Sequence, residues 1–256
     1  MLRTGADLCC ILEWDTAFFG FCIARVQVDH LTEEYISGID TWCGENCVRC
    51  LYFLARSDDP ATTRLAEDNS FRLVDVRLTL ARDLSNPTGG SEIGHGCAAL
   101  VRTVRPEDLD VMQRIARESH RTTRFYYDPN FPSHLRESLY VTWITQSCQG
   151  YADRVLIAEL DNLPVGYLTC HLDSARDMGS IGLVGVSSHV QGRQIGQQLV
   201  REALGWFAAQ GAREVSVVTQ GRNLSAQRLY QRCGFLTRAV QLWYHRWYEL
   251  PGVCHG

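Results

Sequence analysis

No stretch of this 256-residue chain approaches the ~20 consecutive apolar residues that cross a bilayer as a helix; runs such as Cys50 to Ala55 are far shorter. A basic surplus is missing too. The 25 Lys and Arg are outnumbered by 29 Asp and Glu, for a formal net charge of −4, so no field invites nucleic acid. The opening MLRTGADLCCILEW lacks the apolar core of a signal peptide. What is present is ordinary for a folded protein: 45% hydrophobic and 21% charged residues bury a real core and exclude disorder, a collagen-like fibre and a disulfide-stapled miniprotein. The expectation is a soluble cytoplasmic protein with no membrane and no nucleic-acid partner, built as one large domain or two small ones.

Cysteine is plentiful. There are eleven, and Cys43, Cys47 and Cys50 stand at C-x3-C-x2-C spacing, which in another setting holds an iron–sulfur cluster. The plainer reading puts Cys50 at the head of an apolar strand, CLYFLAR, with Cys47 just before it and Cys43 in a loop, each a small hydrophobe. No barrel-like βα repeat surrounds them, and no metal is expected. His120, His134, His189 and His245 are scattered and read as non-ligands.

Ser85-Asn86-Pro87-Thr88-Gly89-Gly90-Ser91 is a run of turn formers without apolar periodicity. It suggests an N-terminal α/β domain over residues 1–85, a linker over 86–96, a larger domain over 97–250 and a tail over 251–256. In the larger piece, Ala98 to Val104 reads as a strand. Pro106-Glu107-Asp108 opens a helix carrying Leu109, Met112, Ile115 and Ala116. A proline-broken aromatic segment, Phe125 to Pro132, precedes a helix over 133–149. Strands at 154–160 and 165–172 flank the hairpin signal Asp161-Asn162-Leu163-Pro164, and another strand runs from Ser180 to Val186. Ile195, Leu199, Ala203, Leu204 and Phe207 recur at helical spacing before Gly211. A strand at 214–219, a helix at 223–233 closed by Gly234, and aromatic-rich strands over 237–248 complete the order β-α-α-β-β-β-α-β-α-β. This is an α/β fold with a mixed sheet. Trp243, Tyr244, Trp247 and Tyr248 alternate like strand faces and read as packing.

The chemistry lies in Val190-Gln191-Gly192-Arg193-Gln194-Ile195-Gly196, where a strand gives way to a helix. Glycines there let unpaired N–H groups approach an anion, and the helix dipole favours negative charge. A tight turn would also use these glycines. The spacing is neither G-x-G-x-x-G nor a P-loop. Downstream come Asn223, able to cap a helix, and Tyr230, two turns later and on nearly the same face, within N-L-S-A-Q-R-L-Y-Q-R-C-G-F.

Together these stretches resemble the signature of the GNAT acyl-CoA N-acyltransferases, a Q/R-x-x-G-x-G/A loop followed by N-x-x-A-x-x-L-Y-x-x-x-G-F. The opening Trp14-Asp15-Thr16-Ala17-Phe18-Phe19-Gly20, and Arg124-Phe125 through Asp128 with Tyr140 and Trp143, further resemble the subgroup of dTDP-fucosamine acetyltransferases and their relatives. The resemblance covers nearly the whole chain. It implies the GNAT fold, a mixed, mostly antiparallel sheet flanked by helices, with the smaller N-terminal domain packing on it and completing the acceptor pocket. It also implies acetyl-CoA as donor, with the pyrophosphate on Gln191, Gly192, Arg193, Gln194, Ile195 and Gly196, a cofactor contact at Asn223, an N–H near Val186 on the thioester carbonyl, and Tyr230 as general acid. One position departs: Gln194 stands where the family usually has glycine. Tyrosine suits its role, since its free pKa of about 10 exceeds a thiol's ~8.5.

The expected acceptor is a small-molecule amine, foremost that of a nucleotide-linked deoxyamino sugar. The alternatives are a protein N-terminus, an amino acid or a polyamine, or a module that holds CoA without catalysis. Phe125, Tyr126, Tyr127 and Asp128 are candidate acceptor contacts, and His171 or Asp173 a candidate base. A homodimer is left open.

Overall fold

A computed structural model describes residues 5–85 and 99–249. The expected linker over 86–96 and tail over 251–256 lie outside the described residues. The chain forms α1 (Gly5–Leu8), β1 (Cys9–Ile11), α2 (Glu13–Phe19), β2 (Ile23–Val26), α3 (Glu33–Glu45), β3 (Cys50–Arg56), α4 (Pro60–Asp68), β4 (Arg72–Asp83) and β5 (Leu100–Thr103). It continues through α5 (Leu109–Ser119), α6 (Arg124–Tyr127), α7 (Ser133–Gln146), β6 (Arg154–Leu160), β7 (Leu163–Asp173), β8 (Met178–Val186), α8 (Ile195–Ala209), β9 (Glu214–Gln220), α9 (Leu224–Arg232) and β10 (Leu236–Trp247). No described helix is long and apolar enough to cross a membrane.

Two compact units emerge. Unit 1 comprises Met1–Arg77, Arg124–Leu135 and Val240–Gly256; unit 2 comprises Leu78–Thr123 and Arg136–Ala239. This partition by contacts differs from a linear one because aromatic side chains far apart in sequence cluster: Phe125 and Phe131 pack on Phe19 at 5.5 and 4.7 Å, and Trp247 on Phe21 at 5.4 Å.

In unit 1 the order is β1-β2-β3-β10, with β2 parallel to β3 and β10 antiparallel to it. Central β3 is buried from Cys50 to Ala55, as a strand covered on both faces must be. Leu51, Phe53 and Ala55 join the core under α3, whereas Tyr52 meets the aromatic cluster. Asp59 caps α4 by accepting from the Ala61 and Thr62 N–H groups, with Pro60 at the first helical position. Cys43 corrects the expectation of a loop. It lies in α3, buried on the face it shares with Ile36 and Ile39. Cys47 follows in an exposed turn at φ +51°, and Cys50 opens β3 as expected.

In unit 2 the order is β9-β8-β7-β6-β5; β5 to β8 are antiparallel, and β8 with β9 is parallel. Asp161 and Asn162, at φ +51° and +61°, form the two-residue turn between β6 and β7. All five apolar residues expected on the inner face of α8 are buried, and Gly211, at φ +86°, follows its end. The C-terminal aromatic stretch is one strand, β10, rather than several.

Candidate active site

Parallel pairing of β8 with β9 runs only from Met178↔Glu214 to Ile181↔Val217, although β8 continues to Val186 and β9 to Gln220. The break coincides with a bulge. Between Leu168 and Cys170 on β7, the partners on β8 step from Val184 to Ile181, so β8 carries an extra residue there. The Leu183 N–H donates to Thr169 Oγ1 (2.8 Å) and the Ser187 N–H to the Val165 carbonyl (2.8 Å), both towards β7. By strand alternation the N–H groups of Val184 and Val186 face the other way, towards the opening. An extended polar chain can thread such a gap as a strand would. Val186, where the resemblance puts the donor to a thioester carbonyl, lies at this opening.

The loop after β8 turns through Ser188–Val190, then reverses at Gly192 (φ +81°) and Gln194 (φ +60°). Gln191 to Gln194 are exposed. Among the described residues, the N–H groups of Gln191, Gly192, Gln194, Ile195, Gly196 and Gln197 have no backbone acceptor. Six free donors around a helix start form an anion cradle. Gln194 holds a left-handed conformation that glycine adopts without cost and other residues at about 1–2 kcal/mol. Gly196 sets the helix close to its neighbour: a Cβ there would lie 3.2 Å from Leu229 of α9. The cradle thus abuts the helix carrying Tyr230.

Asn223 caps α9, its Oδ1 accepting from the Ala226 N–H (3.2 Å) and Ser225 Oγ (3.1 Å). The cap leaves its amide nitrogen for another partner. Tyr230 is buried against Phe235, and burial raises its pKa, so its phenol holds its proton at neutral pH. His171 is half-buried beside Tyr151, and burial lowers its pKa more than Asp153 raises it. Asp173 is exposed and pairs with Arg176 at 3.6 Å.

His120, which the sequence reading gave no chemical role, is brought into contact with two tyrosines. At the end of α5 it stacks on Tyr140 (4.4 Å) and meets the Tyr167 hydroxyl at 2.9 Å. Burial pushes its pKa down to about 4, so it is neutral. A Cβ at Gly185 would lie 2.9 Å from the Tyr167 oxygen, which sets this pair against β8 beside Val186. No local pattern announces it, because its partners are brought by α7 and β7.

The four aromatic-segment candidates fall in unit 1. Phe125 is buried among Phe19, Tyr52 and Phe131, whereas Tyr127 is exposed and Tyr126 half-buried. Asp128 is buried and accepts four hydrogen bonds: from His245 Nδ1 (2.7 Å) and Trp247 Nε1 (2.8 Å) at one oxygen, and from the Asn130 N–H (3.1 Å) and Nδ2 (3.0 Å) at the other. Burial raises its pKa, but the bonds from His245 and Trp247 outweigh it and hold the carboxylate ionised. His245, read from sequence as a non-ligand, is fully buried. Burial brings its pKa down to about 4 against the pull of Asp128. Arg124 Nη1 lies 3.0 Å from His245 Nε2 and can only donate, so Nε2 accepts and Nδ1 carries the proton given to Asp128.

Among the described residues no group of three or more His, Cys, Asp or Glu is placed to hold a metal ion.

Residues 114–235 match the family model "Acetyltransferase (GNAT) family". A mycothiol acetyltransferase of Beutenbergia cavernae is 30% identical over 217 residues, 78% of this chain and 67% of that protein. The chain belongs to the GNAT family of acetyltransferases. It is also similar to the spore coat polysaccharide biosynthesis protein SpsD of Bacillus subtilis, 27% identical over 142 residues and 56% of this chain; the chain spans about half of that relative's length, 48%. A dTDP-fucosamine acetyltransferase of Escherichia coli is 24% identical over 241 residues, 92% of this chain and 96% of that protein. The fold is that of a GCN5-related N-acetyltransferase from Sphaerobacter thermophilus, with a TM-score of 0.65 over 93% of this chain and 76% of that one at 20% identity.

Gln194→Gly should relieve the left-handed strain and raise stability by about 0.5–1 kcal/mol, less than the full strain because glycine also loosens the unfolded chain. Urea denaturation reads this; a lower midpoint would mean that the side chain is needed. Asp128→Asn keeps the shape but turns an amide towards groups that only donate. It is expected to cost about 2–4 kcal/mol by the same measurement.

Proposed function

We propose that the chain is an acetyl-CoA-dependent N-acetyltransferase that moves the acetyl group directly onto the amine of a nucleotide-linked deoxyamino sugar. The observation that carries the reaction is the divergence of β8 from β9 beside a cradle of free N–H groups. The acceptor reading draws on the aligned length of the dTDP-fucosamine acetyltransferase relative.

The residues present fit the donor. Gln191, Gly192, Gln194, Ile195 and Gly196 hold its diphosphate through backbone N–H groups, in the loop that also carries Arg193, whose own N–H is taken by the Val190 carbonyl; Asn223 offers its free amide, and the Val186 N–H meets the thioester carbonyl. Bound there, acetyl-CoA supplies an acyl group whose carbonyl carbon a neutral amine attacks. As the C–N bond forms and the C–S bond breaks, the Val186 N–H stabilises the charge on oxygen. Tyr230 protonates the departing thiolate: burial keeps its proton on at neutral pH, and the same burial makes a thiolate beside it more basic than in water. His120, neutral and beside Val186 through Tyr167 and Gly185, takes the proton that the amine loses. No covalent enzyme intermediate is needed.

Thiol release from acetyl-CoA, followed across dTDP-amino sugars, peptide amines and polyamines, tests this. Turnover is expected on a dTDP-amino sugar; turnover on a peptide alone would move the acceptor to a protein N-terminus. Tyr230→Phe should lower kcat at least tenfold while the Kd for CoA, from calorimetry, stays within twofold. His120→Gln should do the same. Unchanged kcat in either variant removes that residue from the mechanism.

A further inference from the structure

A primary amine is mostly ammonium at neutral pH, as the lysine pKa of about 10.4 illustrates, and an ammonium has no lone pair for attack. On the way to an amide it loses two protons. His120 takes the one shed on attack, which balances the proton that Tyr230 gives to sulfur. The other leaves beforehand, towards solvent, and needs a base of its own.

His171 stands on β7 opposite Ser180 of β8. Its ring lies over the bulge: a Cβ on Gly182 would fall 2.6 Å from Nε2 and 2.7 Å from Thr169 Oγ1, so glycine there is what gives the imidazole its place. Gly182 follows Ile181, the last β8 residue paired with β9, and Val184, whose N–H faces the opening, is two residues on. Nε2 therefore overhangs the closed end of the gap. Gly182 is exposed and His171 half-buried, with the exposed Tyr151 ring edge-on at 5.5 Å, so both a ligand and water reach the imidazole. Thr169 is fully buried; its Oγ1 accepts from the Leu183 N–H (2.8 Å) and lies 3.5 Å from Nε2. Its hydroxyl proton can turn to Nε2, which keeps that nitrogen bare until a charged donor replaces it.

Few charges bear on the ring. Asp153, its Oδ2 accepting from the Leu172 N–H at 2.7 Å, raises the pKa together with the Tyr151 backbone, but burial outweighs both and leaves His171 neutral at pH 7. β8 has no titratable side chain. On α5, which packs on β7 and β8, Asp110, Arg114, Arg117 and Glu118 are all exposed. Arg154 of β6 lies over Trp206 of α8, and Asp173 pairs with Arg176. We infer that His171 is the base that takes a proton from the acceptor's ammonium group above Gly182 and passes it to water. The electron pair of the broken N–H bond stays on the amine as its new lone pair, the proton binds Nε2, and solvent removes it. This role rests on the acetyl transfer proposed above and on no particular acceptor.

The pH dependence of kcat/KM tests this, measured for a dTDP-amino sugar or, if that is not turned over, for a peptide amine. Between about pH 6.5, the ordinary histidine pKa, and the acceptor's own amine pKa, the parent should stay level. His171→Gln should be at least tenfold lower at the acid end of that range. It should then climb about tenfold per pH unit, because it depends on amine already free in solution, and come within threefold of the parent at the amine pKa. The Kd for CoA should stay within twofold. Gly182→Ala, whose Cβ displaces the ring, should show the same acid-side loss. A parent profile that itself climbs to the amine pKa overturns the role. So does a His171→Gln loss that is absent, or equal at every pH as for a structural part. A parent that acetylates no amine strikes the proposed reaction itself.

Discussion

The proposed chemistry rests on backbone hydrogen bonds that β8 and β9 do not make with each other. A parallel pair normally continues until one strand ends, yet here it stops at Ile181 and Val217 while both strands go on. The bulge on β8 supplies the cause, because an extra residue bends and twists a strand away from its neighbour. The donors of Val184 and Val186 are thereby left facing an opening. The β8–α8 loop then delivers its own free donors, and Gly196 lets that helix sit tightly on α9. One irregularity in a sheet thus opens the gap, and its neighbouring elements bring the free donors of the α8 start beside the helix that carries Tyr230.

Unit 1 runs on the opposite economy. Its polar groups are satisfied almost to saturation around Asp128, where a carboxylate, a neutral imidazole and an indole share one buried network. That network needs its proton on a particular nitrogen, and Arg124 enforces this because a guanidinium has no lone pair to offer. The same arginine is held by aromatic faces rather than by a carboxylate. Stacking keeps the cation in place without cancelling its charge.

Local signals were readable wherever a few adjacent residues decide the backbone. The inner face of α8, the Asn223 cap and the Asp161-Asn162 turn stood in the sequence because apolar spacing, a short polar side chain and tolerance of positive φ each act within a turn or two. Cys43 was not readable. Gly38 and Gly44 weaken the helical pattern, and only packing of Ile36, Ile39 and Cys43 on the core makes α3. His120 and His245 looked idle, since their partners Tyr167 and Asp128 lie 47 and 117 residues away.

By itself, then, the sequence determined the elements of unit 2, the loop that opens α8 and the helix bearing Tyr230, all written in short-range geometry. Tertiary structure alone decided where β8 leaves β9, and that Arg124–Leu135 joins residues from both ends of the chain. It also decided which histidines stay neutral. The reason is one of range. Dihedral preferences and caps act between neighbours, whereas burial and charge depend on whichever residues the completed fold brings within a few ångströms.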